Sequence, residues 1–578
     1  MLRWFVNSAF VIIVFPLLAL AAPQNSSNPQ STFTSNSELV TVPVHVTDHY
    51  GRPLHGLRKD DFVLKSDGTP QRIALFHEVR TEAPASVAPA PVRAASVQGA
   101  DASPNSGPKF SNLNIQAVPD QLYIVAVDIL NTPVTMQGWA RDQLIKYLQA
   151  KPPQQPVELV AITAGGIRRL HGFTSDNSAL VSSLKTMQVS LSRHDSQEVL
   201  ISKMSKSGAI DDYNSMVQEL QQIQLDEAAR GASAGSLTLR CFEQIAWAYA
   251  GIPGRKTVLW LTSGFPISQE VPDGPALIGH GPATGRGSGV ATHHELLPEF
   301  QRAFTAMNKA NVVVYPIDVT GLPDDPMWDP SQPSSLFIHP ELSHLHPLLT
   351  FDMAGADRDG MKEIAHRTGG GSCTAGNSLV DCIDRAWAES SDYYMLGFYV
   401  PPQHRKIGWH KLKVSVDTDH GEVRARTTYY LQPLGAAPEG QQEEDLRSAI
   451  NAPVDYTGVL FSVEPGARPS GAQSPVVFKV SVPPGSLIMS PGQAELSFDV
   501  IVVPLSNKGL PISQQSRMVQ LNMPPDAVKK ALAKGWNLID TVPWNDGTVA
   551  VRVVVRDNYT GRIGSLVFPV APESSGHS

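Results

Sequence analysis

The stretch from residue 120 to about residue 402 alternates short apolar segments with amphipathic ones, and this alternation limits the fold more than any other feature. Apolar runs of this length predict strands buried on both faces, and helical spacing predicts the connections between them. The predicted strands are residues 122–127, 157–162, 257–261, 312–317 and 393–400, and the predicted helices include residues 139–148, 177–187, 237–250 and 295–309. Such a pattern indicates a doubly wound, Rossmann-like α/β domain with a mainly parallel sheet, whose ligand site lies beyond the C-terminal ends of the strands.

The segments on either side of this domain alternate with period two, which is typical of strands. Residues 38–80 and 403–432 each hold too few strands to be stable alone, so we expect them to pair into one small β-sandwich beside the α/β domain. Residues 455–575 have the strand and turn spacing of a separate C-terminal β-sandwich. The Ala/Pro/Ser-rich residues 81–119 and the residues 433–454 are predicted to be linkers.

Residues 1–22 have the features of a secretory signal peptide. Arg3 precedes an apolar run, and Ala19, Leu20 and Ala21 offer the small-x-small pattern of a cleavage site. The alternative is an uncleaved membrane anchor, because residues 4–22 are almost long enough to span a bilayer. A polar spacer, residues 23–37, follows. We therefore expect an exported protein that is periplasmic, in the cell envelope or secreted, and membrane-bound only if the signal segment stays uncleaved.

Net charge limits the kinds of partner that we expect, and the cysteines can be sorted by their spacing and surroundings. The chain has 46 Lys and Arg against 54 Asp and Glu, a net charge of −8, and no long basic run, so a nucleic-acid partner is not expected. Of the three cysteines, Cys373 and Cys382 are close enough in sequence to pair, although spacing alone does not establish a bridge. Cys241 lies in a helical pattern and is expected to be a buried thiol.

Motifs of known catalytic machinery are missing from the sequence. It contains no His-Glu-x-x-His, no Gly-x-Ser-x-Gly after a strand, no phosphate-binding Gly-x-x-x-x-Gly-Lys and no Cys-x-x-Cys. We therefore expect a protein that is not an enzyme, and an extracellular hydrolase is the alternative with the least support.

Several segments together resemble the secreted von Willebrand factor A-related (vWA) proteins of the acidobacterial type. Their order and spacing carry the resemblance, which extends over about residues 38–432 and leaves out the C-terminal sandwich. The matching segments are LVTVPVHVTDHYGRPLHGLRKDDFVLKSDG (39–68), LYIVAVDILNTP (122–133), LHGFTSD (170–176), GRKTVLWLTSGFP (254–266), NVVVYPIDVTGL (311–322) and YYMLGFYV (393–400).

The resemblance implies a vWA-like sheet with a metal-ion-dependent adhesion site. In such a site Mg²⁺ is held by an Asp-x-Ser-x-Ser loop, a Thr from a second loop and an Asp from a third. Asp128 matches the first Asp, Thr132 can replace the second Ser, and Thr174 is the match for the second-loop Thr. Two positions depart from the pattern. Leu130 stands at the first Ser position, and Ser263 stands where the third loop would supply its carboxylate. The resemblance thus implies a degenerate site that binds Mg²⁺ weakly or not at all. The alternative for Asp128 is a structural residue that accepts hydrogen bonds from loop N–H groups.

These observations lead to one expected function and one alternative. We expect an exported, non-enzymatic protein-interaction or adhesion module that presents Asp128, Asn131, Thr132 and Ser263 to a protein or a cell-surface polymer. The alternative is a structural or assembly component of the cell envelope in which the degenerate site is inert. Both depend on residues 122–127, 257–261 and 312–317 lying side by side in one sheet.

Overall fold

The structure, a computed structural model, describes the chain from residue 38 to residue 570 with internal gaps. The predicted signal peptide, the polar spacer and most of the predicted linker 81–119 lie outside the described residues. The described ranges are 38–80, 109–113, 121–151, 153, 155–188, 233–265, 297–321, 353–374, 378–400, 405–416, 421–431, 440–466, 475–486, 496–512, 517–542 and 547–570.

Strands and helices are numbered in chain order within these ranges. The strands are β1 (Glu38–Thr47), β2 (Phe62–Ser66), β3 (Thr69–Pro70), β4 (Leu75–Val79), β5 (Phe110–Ser111), β6 (Gln121–Asp128), β7 (Val157–Thr163), β8 (Gly166–Thr174), β9 (Arg255–Thr262), β10 (Val312–Asp318), β11 (Tyr393–Val400), β12 (Gly408–Val416), β13 (Glu422–Ala425), β14 (Thr428–Leu431), β15 (Ser462–Pro465), β16 (Val476–Val482), β17 (Leu496–Ser506), β18 (Arg517–Met523), β19 (Trp536–Val542), β20 (Thr548–Asp557) and β21 (Ile563–Pro569). The helices are α1 (Val134–Ala150), α2 (Asn177–Lys185), α3 (233–249), α4 (Leu297–Lys309), α5 (Met353–Thr368), α6 (Leu379–Ser391), α7 (Gln441–Asn451) and α8 (Pro525–Lys534).

A five-stranded, mainly parallel sheet lies at the centre of the α/β domain, as the sequence predicts. Its order is β10-β9-β6-β7-β8, and only β8 runs antiparallel to its neighbour. The three predicted strands therefore do lie side by side, as β10, β9 and β6. The sequence analysis missed β8, which returns along β7 after a turn in which Gly166 has φ +98°, a backbone conformation that favours glycine.

Helices cover both faces of this sheet because successive strand residues point to opposite sides. On one face α3, α4 and α5 pack against strand residues such as Ile124 and Trp260. On the other face α1, α2 and α6 pack against residues such as Val125 and Leu259. The domain is therefore doubly wound, and β6, β7, β9 and β10 are buried along almost their whole length, whereas the edge strand β8 is partly exposed.

Strand β11 lies in a different sheet from the one predicted. The sequence analysis assigns residues 393–400 to the α/β sheet, but β11 pairs antiparallel with β1, from Glu38 opposite Val400 to Val44 opposite Tyr394. One face of β11 fills a small sandwich core; on the other face Tyr393 contacts Arg255 of β9, whereas Tyr399 is 50% exposed. Two four-stranded sheets, β13-β1-β11-β4 and β14-β12-β2-β3, contribute to that core, so the early and late strands pair as expected.

The C-terminal strands form two further four-stranded sheets, β19-β16-β15-β5 and β18-β17-β20-β21, which share one apolar core. Two features were not expected. Strand β5 comes from the predicted linker 81–119 and pairs with β15, and α7 lies within the predicted linker 433–454. Trp247 of α3 contacts Tyr456 with ring centroids 5.5 Å apart, and this contact joins the C-terminal strands to the α/β core.

Cys373 and Cys382 form a disulfide with a Cα–Cα distance of 5.8 Å. Cys373 lies on a short segment that hydrogen-bonds along the free edge of β10, where its N–H donates to the Pro316 carbonyl at 2.9 Å. Cys382 lies on α6, so the bridge joins the sheet edge to a helix. Cys241 is a buried free thiol. None of the helices in the described ranges has both the length and the apolar character needed to cross a bilayer.

Candidate functional site

The C-terminal ends of β6, β9 and β10 meet at one edge of the sheet. Val127 lies opposite Leu261, and Thr262 lies opposite Asp318. Hydrogen bonds continue beyond the strands, since the Val319 N–H donates to the Thr262 carbonyl at 2.9 Å. Asp128, the end of β6, therefore sits beside the β9 turn, where the degenerate adhesion site is expected.

The carboxylate of Asp128 is surrounded by donors from its own chain. Its Oδ1 accepts from the backbone N–H groups of Leu130 at 3.0 Å and Asn131 at 2.9 Å. Its Oδ2 accepts from Asn131 Nδ2 at 2.8 Å and from Trp260 Nε1 at 3.0 Å. The Thr262 hydroxyl lies 3.0 Å from Oδ2 and 3.0 Å from the Gly264 carbonyl, so its single proton serves one of the two. Four N–H groups and a shared hydroxyl thus fill the lone pairs that a cation would need.

Burial isolates this carboxylate from water. Asp128 is 0% exposed, and burial raises its pKa although the hydrogen bonds from Asn131, Thr262 and Trp260 act in the opposite direction. The Cys241 thiol nearby is also fully buried, and burial, with a smaller contribution from the Asp128 charge, raises its pKa as well. Neither group is open to a partner or a substrate.

Asn131, Thr132 and Ser263 lie beside Asp128 as predicted, but the prediction that they form a partner-binding surface needs correction. They are 0%, 2% and 9% exposed respectively. Asn131 Nδ2 also donates to Thr238 Oγ1 at 2.9 Å, and the Ser263 hydroxyl donates to the Asn131 carbonyl. A partner cannot reach these side chains because they are buried, and those of Asn131 and Ser263 hold the loop together through internal hydrogen bonds.

Thr174 is separated from the other predicted ligands. It ends β8, which runs antiparallel to β7, and it pairs with Val157 at the start of β7. Asp128, by contrast, pairs with Ile162 near the end of β7. Thr174 therefore lies at the opposite edge of the sheet, where its hydroxyl accepts from the Asp176 N–H at 3.0 Å. Because β8 was not among the predicted strands, the sequence did not show at which edge of the sheet Thr174 lies.

The remaining oxygen atoms do not fit Mg²⁺. Among the described atoms, Thr132 Oγ1 and Asn131 Oδ1 are buried without a hydrogen-bond partner. Two neutral oxygens are a poor donor set for a hard divalent cation, which prefers carboxylates and water in an octahedral arrangement. Leu130 offers no oxygen, and the Ser263 hydroxyl is engaged. Across the described ranges, no group of three or more His, Cys, Asp or Glu side chains is placed to hold a metal ion.

A second carboxylate at the same sheet edge was missed by the sequence analysis. Asp318, at the end of β10, accepts from the backbone N–H of Thr320 at 2.8 Å and from Arg358 Nε at 2.7 Å. Arg358 also donates to the Gly321 carbonyl at 3.2 Å. The signal was an Asp directly after a buried strand, but its partner Arg358 follows 40 residues later on α5 and shows no pattern that links the two.

Comparison with known proteins gives only distant similarities. No protein-family model matches the chain, and no curated protein matches it. Among solved structures, it is similar to an aerotolerance-related membrane protein from Bacteroides fragilis, at 13% identity over 47% of this chain and 98% of that one, with a TM-score of 0.23. It is also similar to the pilus adhesin SpaC from Lactobacillus rhamnosus GG, at 11% identity over 80% of this chain and 54% of that one, with a TM-score of 0.24. The chain thus spans about half the length of that adhesin. Similarities this low carry no argument about function.

Proposed function

We propose that this protein is an exported, non-enzymatic interaction protein of the cell envelope whose α/β domain works without a metal ion. The observation that carries this proposal is the Asp128 carboxylate, which is 0% exposed and accepts four N–H hydrogen bonds from Leu130, Asn131 and Trp260. A carboxylate used in this way stabilises the loop at the end of β6. We then expect a partner to contact the exposed residues around that loop, here called the strand-end rim, which include Ala164 in the β7–β8 turn.

Export is supported by two independent features. The first 22 residues have the pattern of a secretory signal. The bridge between Cys373 and Cys382 is of a kind that persists in oxidising compartments and is rare in the cytosol.

The described residues that directly follow β9 offer no nucleophile that a substrate can reach, and this supports a non-enzymatic role. The hydroxyls of Thr262 and Ser263 follow β9 at the position where α/β proteins bind ligands. Both are engaged in internal hydrogen bonds, and their residues are 0% and 9% exposed. A substrate needs access to a nucleophile and its base, and these residues do not provide it.

A structural or assembly role is the second candidate, and the way the domains are joined favours it. Arg426, which is 5% exposed, donates to the Asn308 carbonyl of α4 at 2.9 Å and to the Thr41 carbonyl of β1 at 2.6 Å. On the other side, the Gly251 N–H donates to Thr457 Oγ1 at 2.9 Å. Buried bonds of this kind would hold the α/β domain rigidly between its neighbours, as a spacer requires.

Two matched substitutions separate the candidates. Ala164 lies in the exposed β7–β8 turn at the strand-end edge, and Ser175 is exposed at the opposite edge. The mature protein is immobilised and incubated with an envelope extract of the source cells, once with Mg²⁺ and once with a chelator. The measurement is saturable capture of proteins and surface polymers. The interaction proposal predicts capture that the chelator does not change, that Ala164→Arg abolishes and that Ser175→Arg preserves.

The contrary results are also specific. Capture that requires Mg²⁺ would refute the metal-free mechanism. If both variants bind like the wild type, or if nothing binds saturably, the strand-end rim is not an interaction surface and the structural role is favoured.

A further inference from the structure

An open cleft lies between the edge of β10 and α6, apart from the strand-end site. The Cys373–Cys382 bridge joins its two walls. Its other lining residues include Tyr315, Gly371, Ser372, Arg385, Glu389 and Arg424. The cleft is therefore polar on the side of α6 and β13, and its width is held by a covalent link.

Positive charge exceeds negative charge in the cleft. Arg424 Nη1 donates to the Glu389 carboxylate, so one arginine is paired. Arg385 precedes Glu389 by one helical turn, lines the cleft and has no ion pair with any residue in the described ranges. Within the described part of the chain, one cation at the mouth thus has no carboxylate within ion-pair distance.

A buried arginine adds to this excess from behind the cleft wall. Arg255 is 1% exposed, and its Nη2 donates to the Tyr315 hydroxyl at 2.7 Å. Its guanidinium carbon lies 5.7 Å from the Tyr315 ring centroid and 5.2 Å from that of Tyr393. Among the described atoms, its Nε and Nη1 have no hydrogen-bond partner. Burying a guanidinium without a carboxylate is costly, so its positive charge favours a nearby anion.

His45 lies close enough to Arg255 and Arg424 for their charges to affect its pKa. Burial is the main cause that lowers the pKa of His45 to about 4, and the charges of Arg255 and Arg424 lower it further. His45 is therefore neutral and adds no charge near pH 7. The Asp392 carboxylate, the next along the chain from Glu389, lies 3.9 Å from His55 Nε2, and Asp392 is not among the residues that line the cleft.

We propose that this cleft binds a small oxyanion, a carboxylate or a phosphate group, with Arg385 and Arg424 as its direct ligands. Arginine presents a planar fork of N–H donors that matches the oxygens of either group. Gly371 keeps the site open, because a Cβ there would lie 2.7 Å from both Arg424 Nη1 and Glu389 Oε2. Arg255 acts through Tyr315 as a positioning residue that makes the wall more positive.

Calorimetric titration of the oxidised, full-length mature protein tests the proposal. The probes are inorganic phosphate and acetate, each at constant ionic strength set with chloride. The test variant is Arg385→Gln, and the matched control is Arg447→Gln, which removes an exposed arginine that pairs with Glu443 on α7. Both positions are on helix surfaces, so both variants are expected to fold, and circular dichroism checks this.

The expected result is saturable binding that weakens about tenfold in Arg385→Gln, which corresponds to about 1.4 kcal/mol, and is unchanged in Arg447→Gln. Saturation by phosphate but not acetate identifies a phosphate ligand, and the reverse identifies a carboxylate. The proposal is overturned if neither probe saturates, or if Arg385→Gln binds as tightly as the wild type.

Discussion

Replacement of Asp128 by alanine is expected to destabilise the protein strongly even when no metal is present. The substitution leaves four buried N–H donors, from Leu130, Asn131 and Trp260, without their acceptor. An unsatisfied buried donor costs about 1–3 kcal/mol, and the loop can relax in part, so we take the lower bound for each. The expected loss is then about 4 kcal/mol, a large part of the stability of an ordinary domain, which is about 5–15 kcal/mol.

Urea unfolding in the presence of a chelator, followed by tryptophan fluorescence, measures this loss. Trp260 is a suitable reporter because its Nε1 donates to Asp128. Asp359→Ala is the matched control, since Asp359 is an exposed residue of α5 whose ion pair with Lys362 is also exposed, and the midpoint of this variant should stay at the wild-type value. A loss below about 1 kcal/mol for Asp128→Ala, or a loss seen only with Mg²⁺, would refute the structural role of the carboxylate.

Two further predictions concern other buried positions. Burial, together with the charges of Asp445 and Glu444, raises the pKa of Glu243 from 4.5 to about 8. Near pH 7 the folded state therefore holds a proton that the unfolded state has released. The contribution of this proton to stability is lost as pH rises through about 8. Burial lowers the pKa of Lys256 to about 7, and this residue therefore makes stability rise with pH. The test that isolates Glu243 is the difference in unfolding free energy between the wild type and Glu243→Gln. This difference should fall by about 1 kcal/mol from pH 7 to pH 9, and a constant difference would contradict the prediction. Gly370→Ala should lower the unfolding free energy by about 3 kcal/mol or prevent folding, because a Cβ there would lie 2.0 Å from the Val314 carbonyl oxygen, and wild-type thermal stability would show that the backbone yields.

The α/β core could be predicted because its pattern is local. Strands β6, β9 and β10 differ from the predicted ranges by no more than two residues at either end, and each consists of consecutive buried residues. The neighbours of β11 could not be predicted. Its apolar run, from Tyr393 to Val400, would suit either a parallel sheet or a sandwich, and the choice depends on pairing with β1, about 350 residues earlier.

Contacts between residues far apart in the chain also could not be predicted at the candidate site. The sequence indicates that Asp128 ends a strand and that Leu130 and Ser263 weaken a metal site. It does not indicate that Trp260, 132 residues later, turns its indole N–H toward the same carboxylate. Trp260 reads as an ordinary core residue of β9, and only the parallel register, with Ala126 opposite Trp260, brings it there. Thr174 was misplaced because β8, the strand that carries it to the opposite edge of the sheet, was not predicted.

The donors of the chain itself satisfy Asp128, and we propose that the described strand ends therefore hold no metal ion. Titration of the folded protein with Mn²⁺, followed by calorimetry and by water-proton relaxation, tests this claim most directly. The account predicts no saturable binding and the same unfolding midpoint in Mg²⁺ and in chelator. Stoichiometric Mn²⁺ binding that Asp128→Asn abolishes, while Asp359→Asn retains it, would contradict the account.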